Sequence, residues 1–323
     1  MAAALAAACV LWAGLWPAPL FSLEAAAPAR TVTLLSGLSE GRGGALAEFL
    51  AGDLAKMLNR PVELRSHPEG SGVRAAIKLM EADPGERVLG LLTAEVAITR
   101  TLTMASPYAP EEILGRLVVF EEPWALVAGV EAPFSNLSEL AAASLKAPLS
   151  FGELNLGFPA LSSLQAMGIF KSAGARVETK PVASLDPSLL IGSEPQADLL
   201  ALPLSLVRRD KPGPAGVKIV AVLADGYEGP CASKALSLSN QKLKLPVRNL
   251  AALYEREGPK PPDAESLVEA AALVLEKSEA RSLLAESCLI ASEAGLSASP
   301  RLLSEEFEAQ EALLASLGLS RDR

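Results

Sequence analysis

Between Thr31 and Gly72 the chain gathers small, hydrogen-bonding residues in a pattern suited to holding an anion. The run Ser36-Gly37-Leu38-Ser39-Glu40-Gly41-Arg42-Gly43-Gly44 follows an apolar strand, Thr31-Val32-Thr33-Leu34-Leu35, and leads into an amphipathic stretch from Ala45 to Leu58. A strand that stops in a glycine-rich loop and enters a helix leaves unpaired backbone N–H groups converging on one spot. The helix dipole makes that spot favourable to negative charge. Ser36 and Ser39 add hydroxyls that donate or accept. Gly37, Gly41 and Gly43 permit close approach of backbone to ligand, and the N–H groups from Leu38 to Gly43 are the expected donors. Arg42 has two readings: a guanidinium that pairs directly with a ligand carboxylate, or a solvated partner of Glu40.

The same loop satisfies Gly-x-Ser-x-Gly through Gly37-Leu38-Ser39-Glu40-Gly41, the spacing of a hydrolase nucleophile elbow. A Ser39 hydrolase needs a histidine base placed after its acid in the chain. The single histidine, His67, precedes nearly every candidate acid and stands in a different turn, His67-Pro68-Glu69-Gly70-Ser71-Gly72. No enzymatic activity is therefore expected. One histidine and two cysteines in the mature chain also leave no transition-metal site, and no cofactor is expected. The carboxylates of Glu305, Glu306 and Glu308 read as a solvated helix face.

Net charge −9 and a pI near 5.0 argue against nucleic acid and against an anionic membrane surface as partners. Aromatic residues are 4% of the chain, too few for an aromatic-lined sugar cleft or a base-stacking platform. Residues 3–22 are mostly Ala, Leu, Val and Trp, and Ala25-Ala26-Ala27 follows. An apolar stretch ending in small residues is an export-signal pattern, so residues 1–27 read as a signal peptide and the mature protein as periplasmic. Nothing basic precedes the apolar run, and an uncleaved membrane anchor is the alternative. The apolar stretch ahead of Cys9 is short for a lipid-attachment site. Removal of the signal leaves Cys231 and Cys288, which read either as one disulfide or as two buried free thiols.

Beyond the first helix, apolar runs of strand length alternate with helix-like spacing. Strands are expected at Val62–Leu64, Val88–Leu92, Leu117–Phe120, Ala125–Ala128, Leu199–Leu202 and Val217–Leu223. Helices are expected at Ala75–Ala82, Leu137–Ala143 and Leu161–Lys171, with an all-helical region from Asp263 to Leu317. Such alternation implies an α/β protein with largely parallel sheets.

The order of these motifs resembles the periplasmic receptors of tripartite tricarboxylate transporters, the TctC or Bug-type solute-binding proteins, from about Thr31 to Leu317. The resemblance rests on the Ser36–Gly44 loop and its helix, on Arg60-Pro61-Val62-Glu63-Leu64, and on the Pro- and Gly-rich turn from His67 to Gly72. It also rests on Asp83-Pro84-Gly85-Glu86-Arg87-Val88, on Ala132-Pro133-Phe134-Ser135-Asn136-Leu137-Ser138-Glu139-Leu140, and on Leu149-Ser150-Phe151-Gly152 with Gly157-Phe158-Pro159-Ala160. The chain departs from the family pattern at Glu40, Arg42, Gly44 and Leu161, and in Lys180-Pro181-Val182-Ala183-Ser184.

The resemblance implies a type II periplasmic binding protein of two α/β lobes, residues 28–122 with 246–323 and residues 123–245, with a ligand cleft between them. It further implies that Phe151, Gly152, Asn155 and Gly157 close on the ligand from a second loop opposite the first. The function implied is capture of a small carboxylate, di- or tricarboxylate-like, and delivery by a monomer to membrane transporter subunits. A ligand sensor docking a membrane signalling partner is the alternative.

Overall fold

The structure, a computed structural model, describes residues 31–39, 43–83, 85–103, 106–154, 159–191, 195–207 and 216–319. The signal segment, Gly41, Arg42, Asn155 and Gly157 lie outside these. The elements in chain order are β1 (Val32–Ser36), α1 (Gly44–Leu58), β2 (Val62–Ser66), α2 (Val73–Glu81), β3 (Arg87–Thr93), α3 (Arg100–Thr103), β4 (Ile113–Glu121), β5 (Trp124–Gly129), α4 (Leu137–Ser144), β6 (Leu149–Leu154), α5 (Leu161–Ala173), β7 (Val177–Val182), β8 (Leu199–Pro203), β9 (Val217–Leu223), β10 (Leu250–Arg256), α6 (Ala264–Leu275), α7 (Ser278–Glu286), β11 (Ile290–Ala291) and α8 (Ser299–Ser316).

The strands form two sheets, and the molecule two α/β lobes. The first sheet has the order β11-β4-β10-β3-β1-β2 and the second β7-β6-β8-β5-β9. The chain crosses from the first to the second between β4 and β5 and returns between β9 and β10. Both sheets are mixed, which corrects the expectation of largely parallel ones. β1 pairs in parallel with β2 and β3, and β6 with β7 and β8. The strands flanking the crossings pair antiparallel: β10 with β3 and β4, and β5 with β8 and β9. A strand that enters a lobe from its neighbour arrives running opposite to strands fed by right-handed βαβ units.

Local chemistry sets the element ends. α1 starts after Gly43, whose φ of +103° favours glycine, and stops at Asn59 in the left-handed region. α4 is capped by Asn136, whose side-chain oxygen accepts the Glu139 N–H, while the Glu139 carboxylate accepts the Ser135 N–H. α5 ends at Gly174 with φ +69°. Each sheet is covered on both faces by buried apolar side chains. Leu34, Leu50, Leu91 and Phe120 lie in one cluster of the first lobe, and Leu126, Phe151, Phe170 and Leu199 in one of the second. No helix among the described residues is long and apolar enough to cross a membrane.

Candidate functional site

β1 ends at Ser36, where the first loop begins. Ser36, its last residue, is 1% exposed, and its hydroxyl accepts the Leu38 N–H at 3.2 Å. The backbone on both sides is pinned: Gly37 N–H donates to Leu91 O at 3.0 Å, and His67 N–H to Ser36 O at 2.7 Å. Gly37 lies against Gly72, where an added Cβ on Gly72 would stand 2.7 Å from the Gly37 carbonyl oxygen. Gly72 also has a φ of +93°, so two turns are seated on one another through backbone alone.

The Leu38 side chain fills the first-lobe core beside Gly43 and Phe120. Its N–H is already taken by Ser36, so Leu38 anchors the loop rather than presenting a free donor. Ser39 is exposed, and its carbonyl accepts the Gly44 N–H at 3.1 Å. A nucleophile elbow places its serine on one sharp turn between strand and helix. Here β1 ends at Ser36 and α1 begins at Gly44, and among the described residues no hydrogen bond joins Ser39 to His67.

The second loop follows β6. Phe151 is 1% exposed and meets Phe170 edge-on at 5.5 Å between ring centroids, so its side chain belongs to the core. Gly152 faces the other side of the sheet, where a Cβ would press on Leu200 at 2.5 Å. Both side-chain positions are explained by packing. The charged residue of this strand is Glu153, which sequence reasoning passed over; its Oε1 is buried without a hydrogen-bond partner among the described residues.

The first turn of α5 carries Ser162, Ser163 and Gln165, all buried. Leu161 and Leu164 from that turn share one apolar cluster with Leu35 and Val73, the neighbours of the first loop and its supporting turn. Residues of both lobes therefore contribute to one apolar cluster.

The two segments by which the chain crosses between the lobes are bonded to one another. Glu122 N–H donates to Asn249 O at 2.8 Å, and Asn249 Nδ2 donates to Glu122 Oε2 at 2.7 Å. The peptide joining Val247 to Arg248 is gripped from both lobes. Gln165 of α5 donates to the Val247 carbonyl at 3.0 Å, and the Arg248 N–H donates to both carboxylate oxygens of Glu306 on α8 at 3.0 Å. Gln310 donates to Glu306 at 3.0 Å and accepts from Thr99 Oγ1 at 2.7 Å. Glu306 is thus buried, which corrects the reading of Glu305, Glu306 and Glu308 as one solvated face. Leu303, Glu306, Gln310 and Leu313 recur at helical spacing on the buried side of α8.

Burial pushes the Glu306 carboxyl up to about 7 against the pull of Gln310 and Arg248. Burial likewise lifts Glu121, at the end of β4, to about 7. Arg248 opposes that rise, and Asp225 and Glu306 add to it.

Cys231, in the loop after β9, is bonded to Cys288, after α7, across 5.9 Å between Cα atoms. Both lie in a second-lobe cluster with Val127, Leu200 and Val222. The bond stands beside β11, whose Ile290 pairs with Glu121 at the first crossing. No group of His, Cys, Asp and Glu among the described residues is arranged to hold a metal ion.

No protein-family model matches the chain, and no curated protein sequence matches it. Its fold is shared with solved solute-binding proteins. A TctC solute-binding protein from Polaromonas superposes with a TM-score of 0.69 at 17% identity, over 90% of this chain and 99% of that one. MatC from Rhodopseudomonas palustris, with bound malate, gives 0.65 at 20% identity over 89% and 99%. A second Rhodopseudomonas palustris protein, with adipate, gives 0.69 at 17% identity over 91% and 99%. The fold of this chain is that of the TctC- and Bug-type solute-binding proteins, from which it stands far in sequence.

Proposed function

We propose that this chain is an extracytoplasmic receptor that captures a small carboxylate between its lobes and hands it to a membrane transporter. The observation that carries this reading is a two-lobed fold shared with solute-binding proteins solved with malate and with adipate, in which Leu35 and Val73 of the first lobe share an apolar cluster with Leu161 and Leu164 of the second. The first loop is seated on its supporting turn through Gly37 and Gly72, and the N–H groups we propose for a ligand carboxylate are those that follow, before α1. The ligand set we propose is the loop from Ser36 to Gly43 with the second loop after β6.

The lobes on either side are proposed as residues 28–122 with 246–323, and 123–245. A disulfide between Cys231 and Cys288 suits an oxidising compartment, which supports export to the periplasm by residues 1–27. Binding and release, not bond-breaking chemistry, is the proposed work of the cleft.

A thermal-shift screen of the mature protein against mono-, di- and tricarboxylates, amino acids and phosphate tests this. A ligand at 100 times its dissociation constant stabilises the fold by about 2.7 kcal/mol. The expected result is a shift with a carboxylate class that is lost when Gly37 is replaced by a bulkier residue in a protein that still folds. Absence of a shift with every anion would remove carboxylate capture.

A further inference from the structure

The second crossing is held from both lobes, and the division falls inside one peptide. On the second-lobe side, Asp225, after β9, accepts the Leu245 N–H at 2.9 Å, and Gln165 of α5 donates to the Val247 carbonyl at 3.0 Å. On the first-lobe side, Glu306 of α8 accepts the Arg248 N–H through both carboxylate oxygens. α8 is itself fixed to the first lobe: Ser299 accepts the Val118 N–H of β4 at 3.0 Å, and Gln310 accepts from Thr99. The Val247 carbonyl and the Arg248 N–H belong to a single rigid plane. Each lobe thus holds one end of the same peptide, and a rotation between the lobes about this segment strains one grip or the other.

The first-lobe grip is ionisable and lies out of water. Glu306 is 5% exposed. Facing it are Arg248, Gln310 on its own helix, Tyr254 of β10 and Glu121 at the end of β4. Glu121 stands at the first crossing, next to Glu122 and its bond with Asn249, and is faced by Asp225 and Arg248 as well. Its Oε1 is buried and meets no hydrogen-bond donor among the described residues. Arg248 therefore serves two buried acids, and an ionised carboxylate is costly to keep from water unless its charge and its oxygens are matched. Burial lifts both carboxyls to about 7. An arrangement that admits water to them restores the ordinary 4.5, so the described arrangement binds protons more tightly and loses its advantage as pH rises through 7.

We propose that the second crossing is a proton-operated latch: with Glu306 and Glu121 protonated the lobes keep the arrangement described, and ionisation of the two carboxyls frees the Arg248 peptide, so that the lobes turn to an arrangement in which both reach water. A protonated Glu306 still accepts the Arg248 N–H through its carbonyl oxygen. This goes beyond the receptor reading and stands without it, because the motion belongs to the crossings and needs no ligand.

Pulsed electron paramagnetic resonance on the ligand-free protein tests the latch. Spin labels are attached through Glu48→Cys on α1 and Ser138→Cys on α4, exposed positions in the two lobes, with the native disulfide left intact. The population of a second interlobe distance, relative to the first, is expected to rise at least about tenfold from pH 5 to pH 8. Glu306→Gln with Glu121→Gln, which keeps shape and removes both charges, is expected to show one distribution at both pH values. Should that double variant not fold, Glu306→Gln alone is expected to shrink the rise several-fold. Circular dichroism on the same samples separates a turn of the lobes from unfolding.

An interlobe distance that does not change between pH 5 and pH 8 in the folded wild type overturns the proposal, even if the denaturation midpoint moves, since that assigns the two carboxyls to overall stability. So does a pH response that the glutamine variants keep in full. Either result leaves the receptor reading intact, and a failure of every anion to bind leaves the latch intact.

Discussion

The two lobes are held together by different chemistry. In the first, ion pairs tie helices to strands across long stretches of sequence. Asp263 accepts from Arg87 and Arg60, Asp53 from Lys56 and Lys277, and Arg116 bridges Glu255 and Glu265. In the second lobe the described residues show one pair, between the exposed side chains of Lys234 and Glu228. That lobe relies on its apolar core and on helix caps such as Asn136, and the Cys231–Cys288 bond ties it to the segment after α7. The lesson is that acid and reductant attack this molecule from different sides. Asp263 is held down to about 2, chiefly by Arg87 and then by Arg60. Its contribution is present above its unfolded value of 3.8 and is lost as pH falls toward 2.

The largest expected effect comes from cutting the disulfide. Cys231→Ser with Cys288→Ser opens a link across 57 residues of chain and is expected to cost about 2–4 kcal/mol in denaturant unfolding. An unchanged midpoint would strike the disulfide from the contrast between the lobes.

Next in size, Asp263→Asn leaves two half-buried guanidinium groups short of their counter-charge. A cost of about 2 kcal/mol is expected, discounted from the fully buried case because the Asp263 side chain is 24% exposed. Hydrogen exchange should report faster opening in β1 and β3 and little change in β5 and β8. Equal acceleration in both lobes would break the contrast. Lys234→Ala, the matching cut in the second lobe, should stay within about 0.5 kcal/mol.

A further effect lies between the lobes and has the opposite pH sign. Glu306 and Glu121 have carboxyl values raised from 4.5 to about 7. Their contribution is full below 4.5 and is lost as pH rises through 7. Wild-type stability should therefore increase by about 1–3 kcal/mol between pH 8 and pH 5. Glu306→Gln should flatten a large part of that slope, measured as the denaturation midpoint against pH. An unaltered slope would show that the Arg248 peptide is held without regard to the charge of Glu306.

The sequence exposed some of these elements far better than others. β1, α1, β3, β5, α5, β8 and β9 stand out because their apolar residues recur with a clear period and end at glycine, proline or serine. β10 does not. Leu250-Ala251-Ala252-Leu253-Tyr254 has the composition of a helix, and only its place between β3 and β4, buried on both faces, makes it a strand.

The expectation of a second ligand loop rests on glycine and aromatic landmarks, and Phe151 and Gly152 among them serve packing. The two-residue alternation of Leu149 to Leu154 would have placed Glu153 beside Phe151. Glu306 was misread because adjacent glutamates look like a water-facing patch, whereas the helical repeat from Leu303 to Leu313 carries it inward. Its partner is a backbone N–H 58 residues away, and such pairings leave no trace in local composition.

The Cys231–Cys288 bond bears on how the halves of the molecule can move. Two peptide crossings alone would let one half both swing and twist against the other, as a door hung on two loose straps can do. The sulfur link adds a third attachment close to the first crossing, where β11 meets Glu121. A third link of this kind restricts how far one half can twist against the other. On the proposed receptor reading, a reduced molecule should keep its fold yet lose alignment between its halves, so reduction should blur ligand selectivity before it abolishes binding.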